Sequence, residues 1–233
     1  MVSAALRREL DGRTGISEEH HHRIPLGLLM LRQGWITQLQ LRQAVEAQRA
    51  AGGGRIGHWL VRQQGVSDHL VTRALALQWG CPVLEAETAD VEAGTGLVPR
   101  LFVDAYGALP LRLAADRILY LGFVDRIDPV LALAVERMTG LRVECGIVRE
   151  PAFRAAHARL LEARYPHVEL LEASSEPVLA EVMAKRLEKA KPVGARLVRV
   201  HDCLWLRMWK QPQRGPAPGN ASVQDILASL RPS

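Results

Sequence analysis

Cysteine is scarce in this chain: Cys81, Cys145 and Cys203 are the only three in 233 residues, far apart and in no metal-ligand spacing. An odd, sparse set fits reduced thiols better than a disulfide framework. Aromatic residues make up 5% of the chain. They form no aromatic–basic clusters of the kind that hold single-stranded nucleic acid. No run approaches the ~18–20 apolar residues of a membrane helix, and the opening MVSAALRRELDGRTG has no apolar core for a signal sequence. A cytoplasmic protein is expected, meeting any membrane machine through a partner. Also missing are a GxxxxGK[ST] phosphate loop, an HExxH zinc motif and a nucleophile elbow. Catalysis is therefore not expected, and no metal or required cofactor either. The formal net charge of +5 and pI of about 9.5 read as solubility, so nucleic acid is not among the expected partners.

One pattern is present in full, twice. Pro25–Gln48 reads PLGLLMLRQGWITQLQLRQAVEAQ and Arg55–Gln78 reads RIGHWLVRQQGVSDHLVTRALALQ. Aligned without a gap, Gly27 falls on Gly57, Arg32 on Arg62, Gln33 on Gln63, Ala44 on Ala74 and Gln48 on Gln78. Shared apolar spacing alone is common to helices. Shared glycine, arginine and glutamine at the same offsets mark an internal duplication. Each copy predicts a short helix, a tight turn and a longer helix. Thr37 with Gln40 forms a capping box in the first copy, and Ser67 is the cap in the second. Leu41, Ala44, Val45 and Gln48 share one helix face, as do Val71, Ala74, Leu75 and Gln78. Ala50–Gly54 (AAGGG) separates the copies.

The rest divides as follows. Residues 1–24 read as a flexible leader, with a short helix over Ser3–Leu10. Its Glu18–His22 run (EEHHH) reads as solvated rather than metal-binding, because adjacent histidines cannot all face one ion. Residues 25–80 are the duplicated helical subdomain and 81–165 a small two-layer α/β lobe, entered through an irregular acidic connector, Glu85–Thr95. The lobe is expected to run helix (Pro99–Tyr106), hairpin (Ala108–Leu113 and Arg117–Phe123), helix (Pro129–Thr139), strand (Leu141–Val148) and helix (Pro151–Leu161). Residues 166–210 form an extension of one charged helix, Glu176–Ala190, and a hairpin, Ala195–Val200 with Leu204–Trp209. Its Trp205 and Trp209 share a face. Residues 211–233 are a Pro/Gly linker and a tail helix over Ser222–Leu230. The expected fold class is α+β.

The doubled motif resembles the amino-terminal domain of type II secretion and type IV pilus assembly ATPases, the MshEN or GspE-N domain. That family's unit reads RLGxxLVxxGLIxxxxLxxxLxxQ, given twice. The resemblance extends to about Leu161, through Ala108-Leu109-Pro110-Leu111 and Thr139-Gly140-Leu141-Arg142-Val143. It departs at Pro25, where the motif has arginine, at Gln64-Gly65, where the turn glycine is shifted by one, and in a spacer one residue longer. The resemblance implies a cyclic di-GMP site, and the absent phosphate loop leaves out the family's ATPase engine.

A cyclic dinucleotide is a pseudo-symmetric dianion, so a duplicated unit offers like groups to each half. The helix starts at Leu26-Gly27 and Ile56-Gly57 bring free N–H groups to a phosphate. Arg55 adds a charge-assisted bond, and Arg23 is the candidate to replace the cation missing at Pro25. Leu41, Val45, Val71 and Leu75 are expected to cover purine faces, with Gln48 and Gln78 on guanine edges or backbone. The leading expectation is a stand-alone, non-catalytic regulatory protein that binds cyclic di-GMP. The alternative is an adaptor that docks on a secretion or pilus machinery protein and keeps the site in degenerate form.

Overall fold

In the computed structural model the described residues are 23–86, 89–212, 215 and 217–230. The leader helix Ser3–Leu10 and the Glu18–His22 run lie outside them.

The repeat folds as four helices: α1 (Leu26–Arg32), α2 (Gln38–Ala50), α3 (Ile56–Gln64) and α4 (Asp68–Trp79). Thr37 accepts from the Gln40 backbone and Gln40 returns the bond, closing the capping box. Ser67 caps α4 by accepting from the His69 N–H. The shifted glycine has a structural counterpart. Helix α3 runs to Gln64 and ends on Gly65 at φ 62°, whereas α1 stops at Arg32 and its positive φ falls on Gly34. The core uses the same three positions from each copy, Met30 with Leu60, Ile36 with Val66 and Ala44 with Ala74, all buried.

The α/β lobe contains β1 (Val83–Leu84), α5 (Val91–Leu97), α6 (Arg100–Tyr106), β2 (Leu109–Ala114), β3 (Ile118–Phe123), α7 (Pro129–Thr139), β4 (Arg142–Val148) and α8 (Glu150–Glu162). Its sheet has the order β1-β4-β3-β2, with β4 parallel to both β1 and β3 and β2 antiparallel to β3. The stretch expected as an irregular connector corrects to include α5. Asp90 caps that helix by accepting from the Ala93 N–H, an N-terminal signal outweighed in the sequence by two glycines. Those glycines are explained by packing. A Cβ at Gly94 would lie 3.2 Å from the Pro110 side chain, and one at Gly96 would overlap the Pro218 carbonyl.

Beyond α8 come β5 (His167–Ala173), α9 (Glu176–Ala190), β6 (Gly194–Val200), β7 (Cys203–Trp209) and β8 (Val223–Leu230), in a second sheet ordered β5-β8-β7-β6. The expected tail helix is therefore wrong. Val223–Leu230 is a strand, parallel to β5 and antiparallel to β7. Residues 166–210 and the tail are thus one unit rather than an extension and a tether. The physical reason is tertiary. Val223, Asp225 and Leu227 alternate toward the α/β lobe and Ile226 and Ala228 toward α9, and ladder pairing overrides a helix propensity that is only a weak prior.

The second sheet lies between α9 and the α/β lobe. Trp205 meets Phe102 of α6 edge-on, ring centroids 5.5 Å apart. Trp205 is thus buried against the central lobe rather than against α9. Arg207 is 1% and Asp225 0% exposed, and they pair at 2.8 Å. Arg207 also donates to the carbonyls of Gly96 (2.8 Å) and Leu97 (3.3 Å), satisfying last-turn acceptors of α5. Trp205 donates to the same aspartate at 2.8 Å. A second clasp joins His201, at the β6–β7 turn, to Asp128, the N-cap of α7, at 2.7 Å.

Candidate functional site

The two copies interlock through a swap of contacts. Gln78, at the end of α4, donates to the Ile24 carbonyl at 2.7 Å, just ahead of α1. Gln48, at the end of α2, donates to the Gly54 carbonyl, just ahead of α3. Each long helix thus holds the entry to the other copy's short helix, with donors and acceptors both 30 residues apart. The glutamines are therefore used by the backbone, one of the two roles expected for them.

The glycines also have a packing role. A Cβ at Gly27 would lie 2.5 Å from Leu41 Cδ1, and one at Gly57 would lie 2.8 Å from Val71 Cγ1 and 3.4 Å from Leu26 Cδ2. The short helices therefore seat closely on the long ones. Leu26 crosses to Gly57, so the two helix entries adjoin.

Between the second copy and the α/β lobe lies a cavity of about 580 Å³. Of the expected site residues, Leu26, Arg55, Ile56, Gly57, Val71 and Leu75 line it. Gly27, Leu41, Val45, Gln48 and Gln78 do not. Arg23 does not either: its guanidinium lies 3.4 Å from the Trp79 ring centroid, a cation–π contact that holds it at the end of α4. The convergence is one-sided, built from the second copy rather than evenly from both.

The remaining walls were not foreseen. Asp68 and Thr72 come from α4, His58 and Val61 from α3, Val124 and Asp125 from the β3–α7 loop, and Glu150, Pro151 and Arg154 from the start of α8. The lobe's share is non-local, and the local clue was faint: Pro151 marks a helix start. Arg55 meets Asp125 at 3.1 Å and Glu150 at 3.9 Å, and Glu150 also pairs with Arg154. The arginine side chains are 54% and 73% exposed, so these pairs lie at the mouth and are weak.

Elsewhere ionisable groups are tuned by burial. Burial pushes the Cys145 and Cys203 thiols up to about 12, which makes them poor nucleophiles. Burial also raises the Asp128 carboxyl, but bonds from His201 and the Leu131 N–H, with the charges of His201 and Arg126, bring it below its ordinary 3.8. Among the described residues no cluster could hold a metal ion, and no helix is long and apolar enough to cross a membrane.

No family model matches the chain. The type IV pilus assembly ATPase PilB of Myxococcus xanthus (strain DK1622) is 30% identical over 148 residues, which is 62% of this chain and 25% of that protein. The chain thus spans about a quarter of the length of that relative. Among solved structures, MshE with cdg aligns at a TM-score of 0.48 and 25% identity, covering 59% of this chain and 99% of that one. The N-terminal domain of XpsE aligns at 0.41 and 19% identity, covering 58% and 92%.

Proposed function

Because the chain carries a domain of the MshEN (GspE-N) type, we propose that it is a non-catalytic regulatory protein whose cavity binds a cyclic purine dinucleotide, cyclic di-GMP. One observation carries the reading. Arg55, Ile56, Gly57, Val71 and Leu75, all motif residues of the second copy, converge with Leu26 of the first on a single cavity. Aliphatic walls suit a purine face and a half-exposed arginine suits a phosphate. Isothermal titration of the full chain with cyclic di-GMP tests it. Saturable binding that weakens about ten- to a hundredfold in Arg55→Ala is expected, the worth of one charged hydrogen bond.

A second reading follows from the ion pairs. In this structure Arg55 is already engaged by Asp125 and Glu150, and Pro25 has removed its counterpart. A chain that gives no heat with cyclic di-GMP at high micromolar concentration is instead an adaptor for a secretion or pilus component, with the crevice as a relic. Pull-down of such a component by the full chain then identifies the partner.

A further inference from the structure

The two arginines of the cavity are more exposed than its acidic residues. Arg55 and Arg154 stand more than half exposed at the rim, and there they pair with Asp125 and Glu150. Asp68 is less exposed than either arginine. It lines the same cavity, at the first position of α4, beside the buried Thr72 and the walls made by Val71 and Leu75. Among the described residues Asp68 has no cation within ion-pair distance. It places a carboxylate acceptor on the wall of a cavity whose other walls are largely aliphatic.

A phosphate belongs where the cations are, at the mouth. Beside Asp68 the space repels an anion and suits a group presenting N–H donors. A purine whose edge carries two adjacent donors meets that requirement. Guanine has N1–H and the N2 amino group side by side, and an ionised carboxylate can accept from both. Adenine presents an unprotonated N1 at the matching position, so the carboxylate would face a lone pair. Resting on the proposed nucleotide site, we propose that Asp68 is the specificity residue of this cavity: one base enters edge-first against it, sandwiched by Ile56, Val71 and Leu75, and the phosphates stay at the rim beside Arg55. The site then prefers guanine to adenine. It takes one base of the dinucleotide, because only Leu26 of the first copy lines this cavity.

The test uses the full chain and titration calorimetry with cyclic di-GMP, its inosine analogue and cyclic di-AMP. Loss of the single N2 amino group should weaken binding about tenfold. Replacement by adenine should weaken it a hundredfold or more, since a site built around hydrogen bonds rejects a ligand that leaves its groups unpaired. Asp68→Asn, checked for an unchanged melting curve, should shrink the guanine-over-adenine ratio at least tenfold, and Asp68→Glu should restore part of it. Equal affinity for the three ligands, or a ratio unchanged in Asp68→Asn, overturns the role of Asp68 while leaving the nucleotide site intact. Absence of binding by all three removes the site itself, and this inference with it.

Discussion

Two arginine–aspartate pairs fasten neighbours to the central α/β lobe, and they differ in almost every physical respect except their chemistry. Arg207–Asp225 is 1% and 0% exposed, and its remaining donors and acceptors are taken by Gly96, Leu97 and Trp205. Arg55–Asp125 is 54% and 46% exposed, spans two subdomains and opens onto a cavity. Desolvated charges can be left only with their partners, because an orphan ion in the interior is very costly. Exposed charges exchange partners at little cost. The first pair is therefore a fastening, and the second is the one a ligand can displace.

The contrast is broken most forcefully at the buried pair. Asp225→Ala leaves the Arg207 charge and the Trp205 N–H without their acceptor, and should cost about 3–5 kcal/mol in urea unfolding. Arg55→Ala, in the same assay, should cost about 1 kcal/mol or less. A comparable loss in both variants would erase the distinction.

Within the repeat, Gly57→Ala is expected to cost about 1–3 kcal/mol by overpacking, measured by thermal melting. Gly27→Ala should lie within about 1 kcal/mol of the parent, although its intended Cβ is nearer a neighbour. Leu41 can swing its end away, and alanine gains helix propensity. Val71 is stiff at χ1 and Leu26 closes the other side.

At the second clasp the prediction is one of pH. The Asp128 carboxyl is held below its ordinary value in the folded chain. Its contribution is therefore fully present above pH 3.8 and is lost as pH falls through the lower folded value. Asp128→Asn should flatten the fall in stability below about pH 4 relative to the parent, and an unchanged acid limb would rule this out.

The smallest effects belong to the swapped glutamines. Gln48→Ala and Gln78→Ala should each cost about 0.5–1.5 kcal/mol. Because they hold pseudo-equivalent positions, the two losses should match within about 0.5 kcal/mol.

Much of this was legible in the residues. The duplication, the Thr37 and Ser67 caps and the α7 and α9 spans are all local signals, written in spacing and capping chemistry. The site was only half legible. Motif residues of the second copy line the cavity, but Asp125, Glu150 and Arg154 reach it from more than 40 residues beyond the motif, and no periodicity reports that. The contacts of Arg23 and the glutamines were not legible because their partners, an aromatic ring and two backbone carbonyls, follow from the path of the chain. The strand Val223–Leu230 was misread for a related reason: Gln224, Asp225 and Ala228 favour no strand by themselves, and its identity comes from the two neighbours that flank it.

That placement has a consequence for synthesis. In the order β5-β8-β7-β6, the first strand of this sheet to be made has no partner until its last arrives, and Val223 follows His167 by 56 positions. At ribosomal rates of about 5–20 residues per second, β5 waits roughly 3–11 s with a bare edge. Through that interval the nascent polypeptide presents Val168, Leu170 and Leu171 on an open β-template, the moment at which a chaperone would be most useful to it.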